Sequence, residues 1–182
     1  MNEKELYALK FSIGEFVKPD IITPELMSIW IEEIKRFPET LEVIVSKLIV
    51  AELNYKYRPG GSTIKQGVHH CADSHMNSFI CFKLALTEDN STIRPYFEDR
   101  FAELPDSLDD DIESSLILLK GLHAKLSSVM VSLSKEDLKK EYMHLEHGEK
   151  FGLDEVVSIY AWHSKHHFAH VQQALKVNGE FT

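Results

Sequence analysis

The chain has 182 residues, with 29 Asp and Glu against 20 Lys and Arg, a formal net charge of −9, 43% apolar residues and 27% charged ones. Such a chain is long enough to bury a core without disulfide or metal staples, and its composition excludes a disordered protein. The acidic balance argues against a nucleic-acid partner, no apolar run approaches the ~18 residues of a membrane-spanning helix, and the N-terminal MNEKELYALK lacks the cationic-then-apolar order of a signal peptide.

Residues 1–22, with Gly14 and Pro19, read as an irregular N-terminal segment. Thr23-Pro24-Glu25 predicts the start of a first long helix: a hydroxyl N-cap, proline at the first helical position, and an acid at the positive end of the dipole. Leu26, Ile29, Ile34, Leu41, Ile44 and Leu48 continue it at helical intervals, and Pro38 predicts a kink or a break near Phe37. Residues 54–61 (NYKYRPGG) read as a loop. A second helix starts at Ser62-Thr63, with Gln66 in capping-box spacing, and runs to about Leu86 with Ile64, Val68, Cys71, Phe79 and Phe82 toward the core.

A polar connection over 87–106 leads to a third helix from about Asp109 to Leu133, on the stripe Ile112, Leu116, Leu119, Leu122, Leu126, Val129 and Leu133. His147-Gly148 lies between short segments of alternating polarity and predicts a small β-hairpin within 141–153. Asp154-Glu155 opens a last helix that Asn178-Gly179 stops after about Val177. No repeat or linker divides the chain. The expectation is an all-α protein, one four-helix-bundle domain over residues 1–182 with a small hairpin before the last helix.

Ten histidines stand out, and seven fall in two windows: His69, His70 and His75, then His163, His166, His167 and His170. His163 and His167 are spaced i, i+4 and project from one helix face a turn apart, an arrangement that chelates one ion. In the second helix His70, Asp73 and Asn77 form a polar face on an otherwise apolar helix. One imidazole from that helix and two from the last give three nitrogen ligands with positions left open, as in a catalytic rather than a structural site. A satisfied core histidine is the commoner use of any one of these residues, and from the residues alone the two readings stand about even. His163 is followed by Ser164 rather than Glu, so HExxH chemistry is absent, and no GxSxG, P-loop or GxGxxG occurs. Cys71 and Cys81 form no CxxC pair and suit a reducing cytoplasm, with Cys71 a small core residue rather than a nucleophile.

The segments GGSTIKQGVHHCADSHMNSFICFKLAL and SIYAWHSKHHFAHV, together with the connection LTEDNSTIRPYFEDRFAELPDS and LLKGLHAKL, resemble the DinB-like metal-dependent hydrolase superfamily, in particular its YfiT branch, which includes bacillithiol S-transferases. The resemblance covers most of the chain from about Gly14 to Val171. It implies a four-helix bundle holding a divalent metal, zinc or nickel, through His70, His163 and His167, the three that the helical faces also select. His69 lies about 100° around the helix from His70 and is the weaker choice; His166 is the alternative ligand in the last helix, and His170 a further neighbour. Asp73 is a candidate orienting group or base, with a salt-bridge or capping role equally open; Tyr160 and His75 are candidate donors to substrate or ordinary packing residues. The resemblance further implies a small-molecule substrate, a low-molecular-weight thiol among the candidates, and a homodimer as a frequent assembly of such bundles; the cysteine usage points to a cytoplasmic location, and charge and hydropathy to no nucleic-acid or membrane partner. Two positions depart from the family pattern: Ser62 stands where an aromatic residue is usual, and Cys81 where an arginine is usual. A non-catalytic metal-binding or stress-related bundle is the rival reading.

Overall fold

The computed structural model describes residues 1–146 and 148–182. In chain order its elements are α1 (Glu3–Lys10), α2 (Pro24–Val45), α3 (Val50–Leu53), α4 (Ile64–Thr87), β1 (Thr92–Ile93), α5 (Glu98–Phe101), α6 (Pro105–Leu108), α7 (Glu113–Val131), a 3-10 turn (Asp137–Lys139), β2 (Glu141–His144), β3 (Glu149–Gly152) and α8 (Leu153–Lys176). The four long helices form the expected bundle: α2 packs against α7 and α8, and α4 packs against the same two. No helix among the described residues is long and apolar enough to cross a membrane.

Local chemistry explains the helix starts. Thr23 caps α2 through its hydroxyl with Pro24 at the first position, and Thr63 and Gln66 cap α4 reciprocally. The acids before α7 make two successive turns, Asp109 accepting from the Asp111 amide and Asp111 from the Glu113 amide, so the helix begins later than Asp109. Asn178 and Gly179, both at positive φ, end α8.

Three sequence expectations need correction. The segment 1–22 is not wholly irregular: Asn2 and Glu5 form a capping box that starts α1. It buries no residue, so no apolar stripe announces it. The expected break at Pro38 does not occur, and α2 runs unbroken through it with Phe37 and Pro38 buried. The hairpin is present as β2 and β3, but β1 from the polar connection adds a third strand parallel to β2. Gly148 in the hairpin turn has φ +65, a conformation that glycine adopts without a Cβ clash; His147 lies outside the described residues.

The core falls into two clusters along the bundle. One gathers Ile34, Phe82, Leu126, Leu153, Val157 and Ala161, the other Leu41, Val68, Cys71, Leu119, Val171 and Ala174. Each fully buried Leu, Ile or Phe contributes about 1.5–3 kcal/mol relative to exposure. The buried polar residues include His69, His75, His123, His166 and His170, so the histidines belong to the interior of the bundle.

Candidate metal centre

α4 and α8 bring one ring nitrogen each of His70, His163 and His167 within 4.8 Å of one another. Their ring centroids lie 4.3 Å (His163–His167), 4.7 Å (His70–His167) and 5.5 Å (His70–His163) apart. The i, i+4 spacing sets the two α8 imidazoles side by side, and the packing of α4 against α8 supplies the third. Burial is the main reason that all three titrate below the ordinary imidazole range. His70 falls to about 4, with Asp99 opposing and His170 adding to the shift; for His163 and His167 the crowding of neighbouring imidazoles adds to burial. Three neutral nitrogens converging on one point, with no carboxylate hydrogen-bonded to them among the described residues, fit a divalent ion of intermediate softness.

A cavity of about 420 Å³ reaches His163, with Ser74, Tyr96, Glu98, His144 and Tyr160 on its walls. A smaller one of about 60 Å³ touches His70 and His167, beside Tyr57, Ser62 and His170. A larger hollow of about 520 Å³ between the end of α4 and β2 is lined by no histidine. Tyr160 joins the two helices by donating its phenol to the Ser74 carbonyl at 3.2 Å. Glu98, on the wall of the cavity of about 420 Å³, has its carboxyl raised first by desolvation and then by Asp99 and Glu146.

The other histidines hold the frame. The two ring nitrogens of His69 are taken by the Ser115 hydroxyl at 2.8 Å and the Asp109 carbonyl at 3.2 Å, which ties α4 to the start of α7. His170 donates Nε2–H to the Lys10 carbonyl at 2.9 Å and stacks on Tyr57, with centroids 3.7 Å apart, anchoring α1 to α8. His166 stacks on Trp162 at 4.5 Å and stands outside the converging trio. Asp73 is half-buried, its carboxyl raised by desolvation and then by Asp106, while His69 opposes; among the described residues no hydrogen bond joins that carboxylate to His70.

Of the two roles open to His75, the structure supports the packing one: it is fully buried, does not line the cavity, and has both ring nitrogens engaged. Its Nδ1 lies 2.6 Å from His123 Nε2, its Nε2 lies 3.0 Å from His163 Nδ1, and His123 Nδ1 donates to the Ile34 carbonyl at 2.6 Å. His123 was outside both histidine windows. A signal for it exists: it stands four residues after Leu119 and three before Leu126, on the buried face of the third helix. Glu98 had no comparable signal within its polar connection. Cys81 lies in the core cluster, away from the cavities, so its departure from the family pattern is a matter of packing.

The profile of the DinB superfamily matches residues 33–171. A Bacillus cereus (strain 03BB102) protein named "Putative metal-dependent hydrolase" is 45% identical over 168 residues, covering 92% of this chain and 96% of that protein. A Bacillus thuringiensis subsp. konkukian (strain 97-27) protein of the same description matches at 45% identity with the same coverage. Among solved structures, YfiT from Bacillus subtilis, described as "a probable metal-dependent hydrolase with an unusual four-helix bundle topology", superimposes with a TM-score of 0.90 at 38% identity, over 93% of this chain and 97% of that one. With a family profile spanning most of the bundle and relatives aligned almost end to end, the chain belongs to the DinB superfamily.

Proposed function

We propose that the chain is a metal-dependent enzyme in which His70, His163 and His167 hold a divalent ion, zinc or nickel, and that it directs a small nucleophile onto a small-molecule substrate in the adjoining cavity. The observation that carries this reading is the convergence of three neutral imidazoles beside a cavity of about 420 Å³. An ion bound there through three protein ligands supplies Lewis acidity, lowering the pKa of a coordinated water or thiol toward neutrality or below.

The chain's own groups divide the remaining work. Tyr160 and Ser74 shape the wall next to His163. The Glu98 carboxylate lines the same cavity and, with its proton affinity raised, is placed to accept a proton from the nucleophile. Asp73 is the second candidate base. Hydrolysis, in keeping with the names of the relatives, needs such a base. Transfer of a low-molecular-weight thiol does not, because a coordinated thiol ionises outright.

The test starts with elemental analysis of the purified protein and of a His70→Ala, His163→Ala double variant whose fold is checked by circular dichroism. Wild type should carry stoichiometric metal and the double variant none; retention by the double variant sinks the site. Metal-dependent coupling of thiols to monochlorobimane identifies thiol transfer, with little dependence on Glu98→Gln or Asp73→Asn. Metal-dependent cleavage of small esters or amides without added thiol identifies hydrolysis, with loss in Glu98→Gln. A folded, metal-loaded protein inert in both assays points instead to the non-catalytic bundle.

A further inference from the structure

From the wall of the bundle to His163 runs a row of three imidazoles. His123 Nδ1 meets the Ile34 carbonyl at 2.6 Å, His123 Nε2 meets His75 Nδ1 at 2.6 Å, and His75 Nε2 meets His163 Nδ1 at 3.0 Å. His75 and His123 are 0% and 1% exposed, the Phe37 ring lies against both at 5.5 and 5.6 Å, and no carboxylate is hydrogen-bonded to either among the described residues. Such surroundings keep both rings neutral, each with one donor nitrogen and one acceptor nitrogen.

Only one proton arrangement then satisfies every contact. A carbonyl can only accept, so His123 carries its proton on Nδ1 and its lone pair on Nε2. His75 must donate to that lone pair from Nδ1, which leaves its own lone pair on Nε2. His163 in turn donates from Nδ1, and its Nε2 is left as a free lone pair.

We propose that His75 and His123, anchored on the Ile34 carbonyl, are positioning residues that hold His163 in its Nδ1–H tautomer and present Nε2 to the metal. The inference rests on the assignment of His163 as a ligand. The anchor is available because of Pro38: the carbonyl four residues before a proline receives no helical N–H, so Ile34 is free to accept from another helix. Metal-bound histidines usually donate their second N–H to a carboxylate, a carbonyl or water. Here the acceptor is a neutral imidazole, which raises the electron density of His163 less than a carboxylate does and leaves the bound ion more electrophilic.

The test uses full-length protein labelled with 15N-histidine and stripped of metal, read by long-range proton–nitrogen correlation. His163, His75 and His123 should each show the Nδ1–H pattern. Zinc affinity, measured by competition with a chelating dye, should fall about 10–100-fold in His75→Leu and largely recover in His75→Gln, whose Oε1 replaces the accepting nitrogen. Should His75→Leu fail to fold, His123→Leu takes its place, with mixed tautomers expected at His163. An Nε2–H His163 in a protein that binds zinc overturns the relay alone, as does equal loss of affinity in the Leu and Gln variants. An Nδ1–H His163 in a protein that takes up neither zinc nor nickel overturns the metal assignment instead.

Discussion

His123 Nδ1 lies 2.6 Å from the carbonyl oxygen of Ile34, the carbonyl that Pro38, four residues on, has no N–H to bond. A proline inside a helix normally leaves that oxygen to water. In α2 it is buried, and a side chain from α7 replaces the missing amide, so the sequence defect in one helix becomes a point of attachment for another.

The double-mutant cycle between these positions follows directly. His123→Leu leaves the Ile34 oxygen and the His75 Nδ1 proton buried without partners, at about 1–3 kcal/mol for each such group. Pro38→Ala restores an amide to the Ile34 carbonyl, so the same His123→Leu change in that background should cost about 1–3 kcal/mol less. Urea unfolding of the four proteins measures the coupling. Equal costs in both backgrounds would mean that the proline and the histidine act independently.

How much of this was legible depends on what each residue is surrounded by in sequence. The long helices show because their apolar residues recur at helical intervals and their starts carry Thr63 with Gln66 or Thr23 with Pro24. The trio shows because His163 and His167 share a face and His70 lies on a polar face. His123, and the pairing of His75 with it, were hidden for the opposite reason: each sits on an apolar stripe, where a histidine looks like a substituted core residue until its partner on another helix is known. β1 is only two residues long, and what forms it is a parallel pairing with β2, a contact between distant segments that local pattern does not encode.

The cysteines should be chemically silent in the native protein. Burial alone pushes the Cys71 thiol far above its ordinary value, and burial raises Cys81 to about 11. Since the thiolate is the reactive form, both should react with a disulfide reagent such as Ellman's only at the rate of local or global opening, and at full rate in denaturant. Rapid labelling of two thiols in native buffer would contradict the packing of α4.

Acid should destabilise the metal-free protein over a defined window. Burial lowers His123 to about 4, with its bond to the Ile34 carbonyl opposing, whereas the same group in the unfolded chain titrates near ~6.5. Between those values the unfolded chain binds a proton that the folded chain does not, so stability falls as pH drops from about 6.5 toward 4 and is complete above the window. Each such histidine adds a slope of up to ~1.4 kcal/mol per pH unit, and His75 acts in the same direction. Urea midpoints between pH 7.5 and 5 should fall accordingly. An unchanged midpoint would exclude the neutral buried imidazoles on which the interior depends.

Metal binding should discriminate between the adjacent residues His69 and His70. An ion that binds only the folded state stabilises it by about 2.7 kcal/mol when present at a hundred times its dissociation constant, which for a chain of this size raises Tm by roughly 5–10 °C. Zinc or nickel should produce that rise in the wild type, and a chelator should reverse it. His70→Ala should abolish the rise because one of the three converging nitrogens is gone. His69→Ala should lower the starting Tm, since its ties to Ser115 and Asp109 are lost, yet keep the full metal-induced increment. Differential scanning calorimetry of the three proteins with and without metal reads both effects together, and a lost increment in His69→Ala with a retained one in His70→Ala would reverse the ligand assignment on α4.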